Sequence, residues 1–299
     1  MRVCVIGLGD MGSGLAKNLL KAGFEVAGFD LSSSRLAALS EMGGQSAPSI
    51  AAAGAEAQVA FVMVMNGDQA KSVILGPDGL AAAMPGGGVI ILTATIKPRE
   101  AREIGDALAG GSVSLIDSPV SGGFGGAQGG TLTMMASAAD EVISRARPAM
   151  EAVSSTIHHV GKDPGMGQTV KACLQTLIGS IFSATFEAAV LAAKAGVKGD
   201  DLYRVFSTSG AGCGCTNTAL GHIIDREFEH TGSGIGTMHK DLTISLNLAE
   251  ELTVPMHMAA AAMQIFHAGK SKYPDADNWV CARVIEEIVG AELHREGAK

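Results

Sequence analysis

Residues 3–12 read VCVIGLGDMG, an apolar run followed at once by the glycine pattern GxGxxG. This order is typical of a strand that turns tightly into a helix. The backbone N–H groups at the start of such a helix, together with the positive end of its dipole, favour a bound phosphate. The sequence therefore predicts a dinucleotide-binding loop made of Gly7, Leu8, Gly9, Asp10, Met11 and Gly12.

An acidic residue supports this prediction. The next apolar run, Glu25–Phe29, ends beside Asp30, about 20 residues beyond the loop, where an acidic side chain binds the ribose hydroxyls of NAD. Asp30 would repel the 2′-phosphate of NADP, and no charge at residues 32–34 offsets it, while Arg35 falls inside the next predicted helix. We therefore expect NAD as the cofactor. The alternative is a turn without a ligand, in which Asp30 only caps a helix.

Two patterns divide the chain. From Arg2 to about Val160, short apolar runs alternate with helix-like segments, which predicts βαβ units and a doubly wound, mostly parallel sheet. Beyond Pro164 the apolar positions repeat at helical spacing in long alanine-rich stretches. The predicted fold class is α/β, with an N-terminal Rossmann domain at residues 1–163 and an all-α domain at residues 164–299.

Composition limits the partners. The formal net charge is −8, which argues against nucleic acid or an anionic membrane surface as the main partner.

The five scattered cysteines are typical of a reducing compartment. Neither a leader segment nor a membrane span is evident, so we expect a cytoplasmic location. No histidine or cysteine spacing indicates a metal site. A CxC pair, Cys213 and Cys215, would need further ligands to hold a metal.

The glycine loop and three later segments form a series of motifs that runs from residue 1 to about residue 290. The four segments are Ile6–Gly12 with Ala16–Leu19, Asp117–Gly123 continuing to Gly130–Leu132, Gly161 and Gly165–Gly167 leading to Lys171, and His239–Leu242. In order and spacing they resemble the β-hydroxyacid dehydrogenase family, which includes 3-hydroxyisobutyrate dehydrogenase and tartronate semialdehyde reductase. The resemblance implies an NAD-dependent dehydrogenase of a small hydroxy acid.

One position departs from the family pattern. Four residues after the catalytic lysine the family usually has asparagine, and this chain has Gln175. Together with Pro164-Gly165 and with Asn66 followed by Gln69, this resembles the L-threonate dehydrogenase branch, which acts on four-carbon sugar acids. The departure puts 3-hydroxyisobutyrate in doubt as the substrate.

Several side chains could carry the chemistry. Lys171 lies in a predicted apolar helix. Burial there would favour the neutral form of the lysine and lower its pKa towards neutrality, so that it could act as a general acid/base. Gln175, one turn on, would orient a substrate hydroxyl or carboxylate. The hydroxyl and N–H groups of Ser121, Gly122 and Gly123 suit a carboxylate. Further contacts to anion or cofactor are predicted for three residues: Lys240, Thr95 and Asn66.

Each of these residues also has a plain structural interpretation. Lys171 could be a surface lysine with its charged end in water. Gln175 could simply form hydrogen bonds to neighbouring groups of its helix. The Ser121 loop could be a glycine-rich turn without a ligand. At the level of function, a reductase running towards the hydroxy acid and a catalytically silent NAD-binding protein are the alternatives. The long apolar helix predicted at residues 167–195 has more hydrophobic surface than one small domain covers, which predicts a homodimer or homotetramer.

Overall fold

The apolar runs of the first half become the strands of one sheet. The computed structural model describes residues 1–296. Within them the chain forms two compact units, one spanning residues 1–171 and the other beginning at residue 172. The sheet belongs to the first unit, and its nine strands are β1 Arg2–Ile6, β2 Glu25–Phe29, β3 Gln45–Ser46, β4 Val59–Val62, β5 Val89–Leu92, β6 Ser114–Asp117, β7 Val120–Ser121, β8 Leu132–Ser137 and β9 Ser154–Gly161.

The strand order identifies the fold. It runs β3-β2-β1-β4-β5-β6-β8-β7, with β9 paired to β8. The first six of these strands are parallel neighbours, while β8 is antiparallel to β6 and to β7. The order reverses between β1 and β4, and open α/β sheets bind ligands beyond the strand ends at such a point. The predicted Rossmann sheet is confirmed.

Helices cover both faces of this sheet. They are α1 Asp10–Lys21, α2 Ser33–Glu41, α3 Ile50–Gly54, α4 Gly67–Leu75, α5 Leu80–Ala83, α6 Pro98–Leu108, α7 Gly123–Gly129 and α8 Asp140–Val153. Alternate residues of β1 enter different cores: Val3 and Val5 pack in one, Cys4 and Ile6 in the other. A strand buried on both faces needs the continuous apolar run seen in the sequence.

The second unit is helical. A 29-residue helix, α9 Met166–Lys194, begins in the first unit and continues into the second. The remaining helices are α10 Gly199–Thr208, α11 Gly214–Ile224, α12 Ile235–Glu251, α13 His257–Lys272 and α14 Val280–Val289. Their core is centred on Phe186, Phe266 and Trp279. The division between the two compact units falls inside α9, after residue 171. The domain boundary at residue 163 stays a prediction.

Helix α9 is both long and apolar. Its best 18-residue window has a mean hydropathy of 1.6, and 44% of that window is buried within the chain. By length and composition alone it could cross a membrane, but the core helix of a soluble protein has the same properties. Membrane insertion is therefore only weakly indicated.

Candidate active site

The glycine loop joins β1 to α1 as predicted. Gly7 has a φ of +90°, and a Cβ there would lie 2.1 Å from the carbonyl oxygen of Met63. A Cβ at Gly12 would lie 1.8 Å from the oxygen of Gly7. Both positions therefore require glycine. Gly9 is the N-cap of α1, so no capping side chain occupies the first N–H groups of that helix. These groups can receive a pyrophosphate.

Asp30 lies against this loop. One carboxylate oxygen accepts a hydrogen bond from the Leu8 N–H at 2.7 Å, and the other accepts one from the Ser32 N–H at 2.9 Å. Burial raises the pKa of Asp30, but these hydrogen bonds and the nearby Arg35 outweigh it and hold the pKa below its ordinary value. The group is therefore an anionic acceptor that is suited to a ribose diol.

Arg35 extends this arrangement. It lies in α2, as the sequence predicted, yet its guanidinium reaches back to within 3.4 Å of both oxygens of Asp30. It also lies beside Gly9. A cavity of about 230 Å³ opens between the loop and α2, and it could hold the adenosine half of a dinucleotide; it is lined by Leu8, Gly9, Asp10, Ser13, Arg35, Ala38, Leu39 and Met42.

Asn66 follows β4, at the strand end next to the loop. Its side-chain oxygen accepts a hydrogen bond from the Gln69 N–H at 2.9 Å and caps α4. The Gln69 side chain in turn accepts the N–H of Met65 at 2.9 Å. The structure thus gives Asn66 a helix-capping role, and its predicted cofactor contact stays a prediction.

Gln168 fixes the segment that carries Thr95. Its amide nitrogen donates to the carbonyl oxygen of Ala94 at 3.0 Å, and its amide oxygen accepts the Ile96 N–H at 3.0 Å. These two backbone groups flank Thr95, so the Thr95 backbone is held from both sides. Gln168 is 1% exposed. The sequence analysis did not single it out, because a glutamine in a helix carries no motif of its own.

Asp117 anchors the start of α9. Its buried carboxylate accepts hydrogen bonds from the Gly165 N–H at 2.8 Å, the Gln168 N–H at 3.2 Å and the Gln168 side chain at 2.9 Å. Burial raises the pKa of Asp117 to about 6, against the opposing effect of these bonds. We name Asp117 and Gln168 together the helix anchor. The sequence analysis quoted Asp117 within a motif but gave it no role.

Lys171 lies on the second turn of the anchored helix. It is 6% exposed, and the next residue, Ala172, is 3% exposed. The interpretation of Lys171 as a surface lysine is therefore excluded. A Cβ at Gly167, one turn earlier, would lie 2.5 Å from the carbonyl oxygen of Met135 in β8. The glycines ahead of Lys171 thus let the helix start directly against the sheet.

The Ser121 loop is anchored to the nucleotide loop. Ser121 ends β7, and Gly122 and Gly123 follow with φ values of +127° and +57°. The helix behind them, α7, packs against α1, where the Asn18 amide donates to the oxygen of Ala127 at 2.8 Å. The structure therefore brings the predicted carboxylate-binding loop and the predicted pyrophosphate-binding helix together within the first unit.

In the second unit, two predicted residues meet on one carboxylate. The Gln175 amide donates to Oδ2 of Asp241 at 2.6 Å, and Nζ of Lys240 lies 3.0 Å from Oδ1 of the same residue. Asp241 is 3% exposed. The sequence analysis missed Asp241 as a site residue, although it directly follows Lys240 in the quoted motif. Across residues 1–296, no group of three or more potential ligand side chains could hold a metal ion.

Comparisons with known proteins agree with this geometry. Residues 2–161 match the NAD-binding domain of 6-phosphogluconate dehydrogenase, and residues 165–285 match the NAD-binding domain of NADP-dependent 3-hydroxyisobutyrate dehydrogenase. The chain is 35% identical over 279 residues to L-threonate dehydrogenase of Escherichia coli strain K12, covering 92% of each protein. It is 34% identical over 270 residues to 3-hydroxyisobutyrate dehydrogenase of Pseudomonas aeruginosa, covering 88% of this chain and 90% of that one.

A solved structure supports the same assignment. The crystal structure of 3-hydroxyisobutyrate dehydrogenase from Salmonella typhimurium superimposes with a TM-score of 0.87 at 30% identity, covering 95% of this chain and 99% of that one. The predicted family resemblance is confirmed. The chain belongs to the 3-hydroxyisobutyrate dehydrogenase-like family of NAD-dependent β-hydroxyacid dehydrogenases.

Proposed function

We propose that this protein oxidises a small hydroxy acid, with a four-carbon sugar acid such as L-threonate as its substrate. The names of several relatives support this, since L-threonate dehydrogenases of about 35% identity are among them. Gln175, where the family pattern usually has asparagine, supports the same branch. The observation that carries the proposal is Lys171, a lysine buried in an anchored helix.

The nucleotide loop and Asp30 would hold the cofactor. The first N–H groups of α1 receive the pyrophosphate, and the Asp30 carboxylate accepts the ribose hydroxyls. Thr95 and Asn66 follow the ends of β5 and β4 and are the proposed contacts further along the cofactor. NAD, when bound, supplies the acceptor for the hydride that leaves the substrate carbon.

Lys171 supplies the proton chemistry. In its neutral form Nζ accepts the proton of the reacting hydroxyl, and in its charged form it stabilises negative charge on that oxygen. Its burial excludes water, which would otherwise weaken both effects. The helix anchor keeps the first turn of α9 fixed, so the lysine does not have to be ordered again in each catalytic cycle.

The substrate carboxylate has its own partners. The Ser121 hydroxyl and the N–H groups of Gly122 and Gly123 are the proposed donors in the first unit. In the second unit, Lys240 is the proposed contact to an anion. This arrangement suits any small hydroxy acid. The second candidate is therefore 3-hydroxyisobutyrate, favoured by the 34% identical relative. Reduction of tartronate semialdehyde and catalytically silent NAD binding are further alternatives.

The assembly and location of the protein are part of the proposal. Leu177 and Leu191 of α9 are 59% and 72% exposed in the single chain. Exposed leucines on the apolar helix favour self-association, and we propose a homodimer or homotetramer in the cytoplasm.

Replacing Lys171 tests the mechanism. We expect Lys171→Ala to lower kcat on the best substrate by about 10²- to 10⁴-fold, because the general acid/base is lost. The dissociation constant for NAD, measured by calorimetry, should change little. The substrate is identified by kcat/KM for L-threonate, glycerate and 3-hydroxyisobutyrate with each cofactor. Near-normal turnover by Lys171→Ala would contradict the mechanism, and NAD binding without turnover of any acid would favour the silent alternative.

A further inference from the structure

The amide of Gln175 has a fixed orientation. Its nitrogen donates to Oδ2 of Asp241 at 2.6 Å and lies 3.9 Å from the sulfur of Met238, which is within the range of a weak hydrogen bond to sulfur. An amide nitrogen has two N–H groups, and each is directed at one of these acceptors. All three residues belong to the second unit.

The reverse orientation is unfavourable. A flipped amide would place its oxygen at the same short distance from a carboxylate oxygen, where two acceptors repel each other. Nζ of Lys240 lies 3.0 Å from the other oxygen of Asp241, so the carboxylate is held between this cation and the Gln175 amide. Asp241 is therefore a positioning residue that determines which end of the Gln175 amide is left for a ligand.

The end that is left is the carbonyl oxygen. An acceptor attracts an O–H group and repels a carboxylate, so Gln175 cannot serve the substrate carboxylate. Gln175 is only 5% exposed, and leaving a buried polar group without its partner weakens binding by about 10- to 100-fold. A substrate that offers no donor at this point is therefore bound poorly.

The reacting hydroxyl cannot be that donor. It has one proton, and the proposed function transfers this proton to Nζ of Lys171. An O–H group cannot donate the same proton to Lys171 and to Gln175. We infer that Gln175 accepts a hydrogen bond from a second, non-reacting hydroxyl, so that the substrate class is hydroxy acids with at least two hydroxyls. This inference rests on the proposed function, and it separates L-threonate from 3-hydroxyisobutyrate.

Matched substrates test the inference. L-threonate is compared with the three acids of matching stereochemistry that each lack one of its hydroxyls, which are 3,4-, 2,4- and 2,3-dihydroxybutanoate, and with the methyl ether of L-threonate at its terminal hydroxyl. The acid that lacks the reacting hydroxyl is not oxidised, and the other two show which second hydroxyl is recognised. For the wild-type protein we expect kcat/KM to fall about 10- to 100-fold when the recognised hydroxyl is removed. If the recognised hydroxyl is the terminal one, kcat/KM for the methyl ether should fall by the same factor, because the ether keeps the oxygen atom but has no proton to donate.

Variants assign the effect to Gln175. The substitution Gln175→Met keeps the length of the side chain but removes the amide. In this variant we expect kcat/KM for L-threonate to fall to the value for the acid that lacks the recognised hydroxyl, so that the ratio of the two kcat/KM values approaches one. Both substrates are measured on the same protein, so a partly folded sample does not change the ratio. Thr176→Val, at the next position of α9, is the matched control and should retain the wild-type ratio.

The outcomes are distinct. An unchanged ratio in Gln175→Met, or wild-type activity restricted to 3-hydroxyisobutyrate, would overturn the inference while leaving a dehydrogenase in place. Failure of wild type to oxidise L-threonate would instead remove the proposed substrate. In that case glycerate and 3-hydroxypropionate, which differ by one hydroxyl, repeat the same test of Gln175.

Discussion

At the level of single residues, Asp30 and Arg35 are the predicted determinants of the choice between NAD and NADP. The carboxylate repels a 2′-phosphate, while the guanidinium 3.4 Å away is the kind of group that binds one. As long as Asp30 is present, much of the positive charge of Arg35 is directed at the carboxylate. The two side chains therefore have opposite effects on the affinity for NADP. The buried side chain of Asp30 faces the loop more directly than the half-exposed side chain of Arg35 does.

We expect Asp30→Ser to shift cofactor preference towards NADP by about tenfold or more, since the repelling charge is gone and Arg35 is released. The measurement is kcat/KM for NAD and NADP with a saturating hydroxy acid. Adding Arg35→Ala to Asp30→Ser should abolish the increase in kcat/KM for NADP. If the double variant keeps that gain, Arg35 has no part in binding the 2′-phosphate.

Among single residues, the sequence predicted those that follow a motif. The glycine loop, Asp30 and Lys171 lie where the pattern placed them, because each has a backbone or burial requirement that few residue types meet. Gln168 and Asp241 were not predicted as site residues. Their roles depend on hydrogen bonds to residues 66 to 74 positions away in the chain, and spacing along the sequence does not reveal such contacts.

The helix anchor acts at the level of an element. Asp117 ends β6 and holds the first turn of α9 through two backbone N–H groups. Its pKa is about 6, above the ordinary value of 3.8, because it is buried. Between these two values the folded protein holds a proton that the unfolded chain has released, so this group's contribution to stability falls as the pH rises through that window.

Asp117→Asn isolates this contribution. At neutral pH the variant should be less stable than wild type by about 1–3 kcal/mol, because the amide nitrogen would face N–H donors. The stability advantage of wild type should be about 1 kcal/mol larger at pH 5 than at pH 7, since only wild type can take up the proton. Urea unfolding at both pH values measures the difference. An advantage that does not depend on pH would show that Asp117 does not titrate there.

Strand β9 and helix α11 were not predicted from the sequence, for two different reasons. Strand β9 reads SSTIHHVG, and most of its side chains are exposed or half-buried, so it lacks the signal of its parallel neighbours. Helix α11 follows the glycine-rich segment at residues 210–214, which reads as a loop. The long helix predicted at residues 167–195 agrees to within one residue with α9 Met166–Lys194, because its apolar spacing is regular.

At the scale of the whole molecule, self-association is the feature to measure. Leu191 of α9 is 72% exposed in the single chain, which would leave apolar surface in water. We expect light scattering to give a mass of about two or four times the 30.3 kDa of one chain. Leu191→Glu should lower the mass at micromolar concentration. Leu31→Glu is the control, since Leu31 is 94% exposed but lies outside α9. A 30.3 kDa wild-type particle would contradict the proposal.

The boundary inside α9 has a consequence for how such enzymes diverge. The contacts that fix the start of the lysine's helix, Asp117 and Gln168, all lie before residue 172, whereas the contacts that orient Gln175 lie after it. On the proposed mechanism, mutations that alter which acid is accepted can accumulate in the helical unit without disturbing the proton-transfer machinery. Selectivity and reactivity can then evolve separately along a single continuous helix.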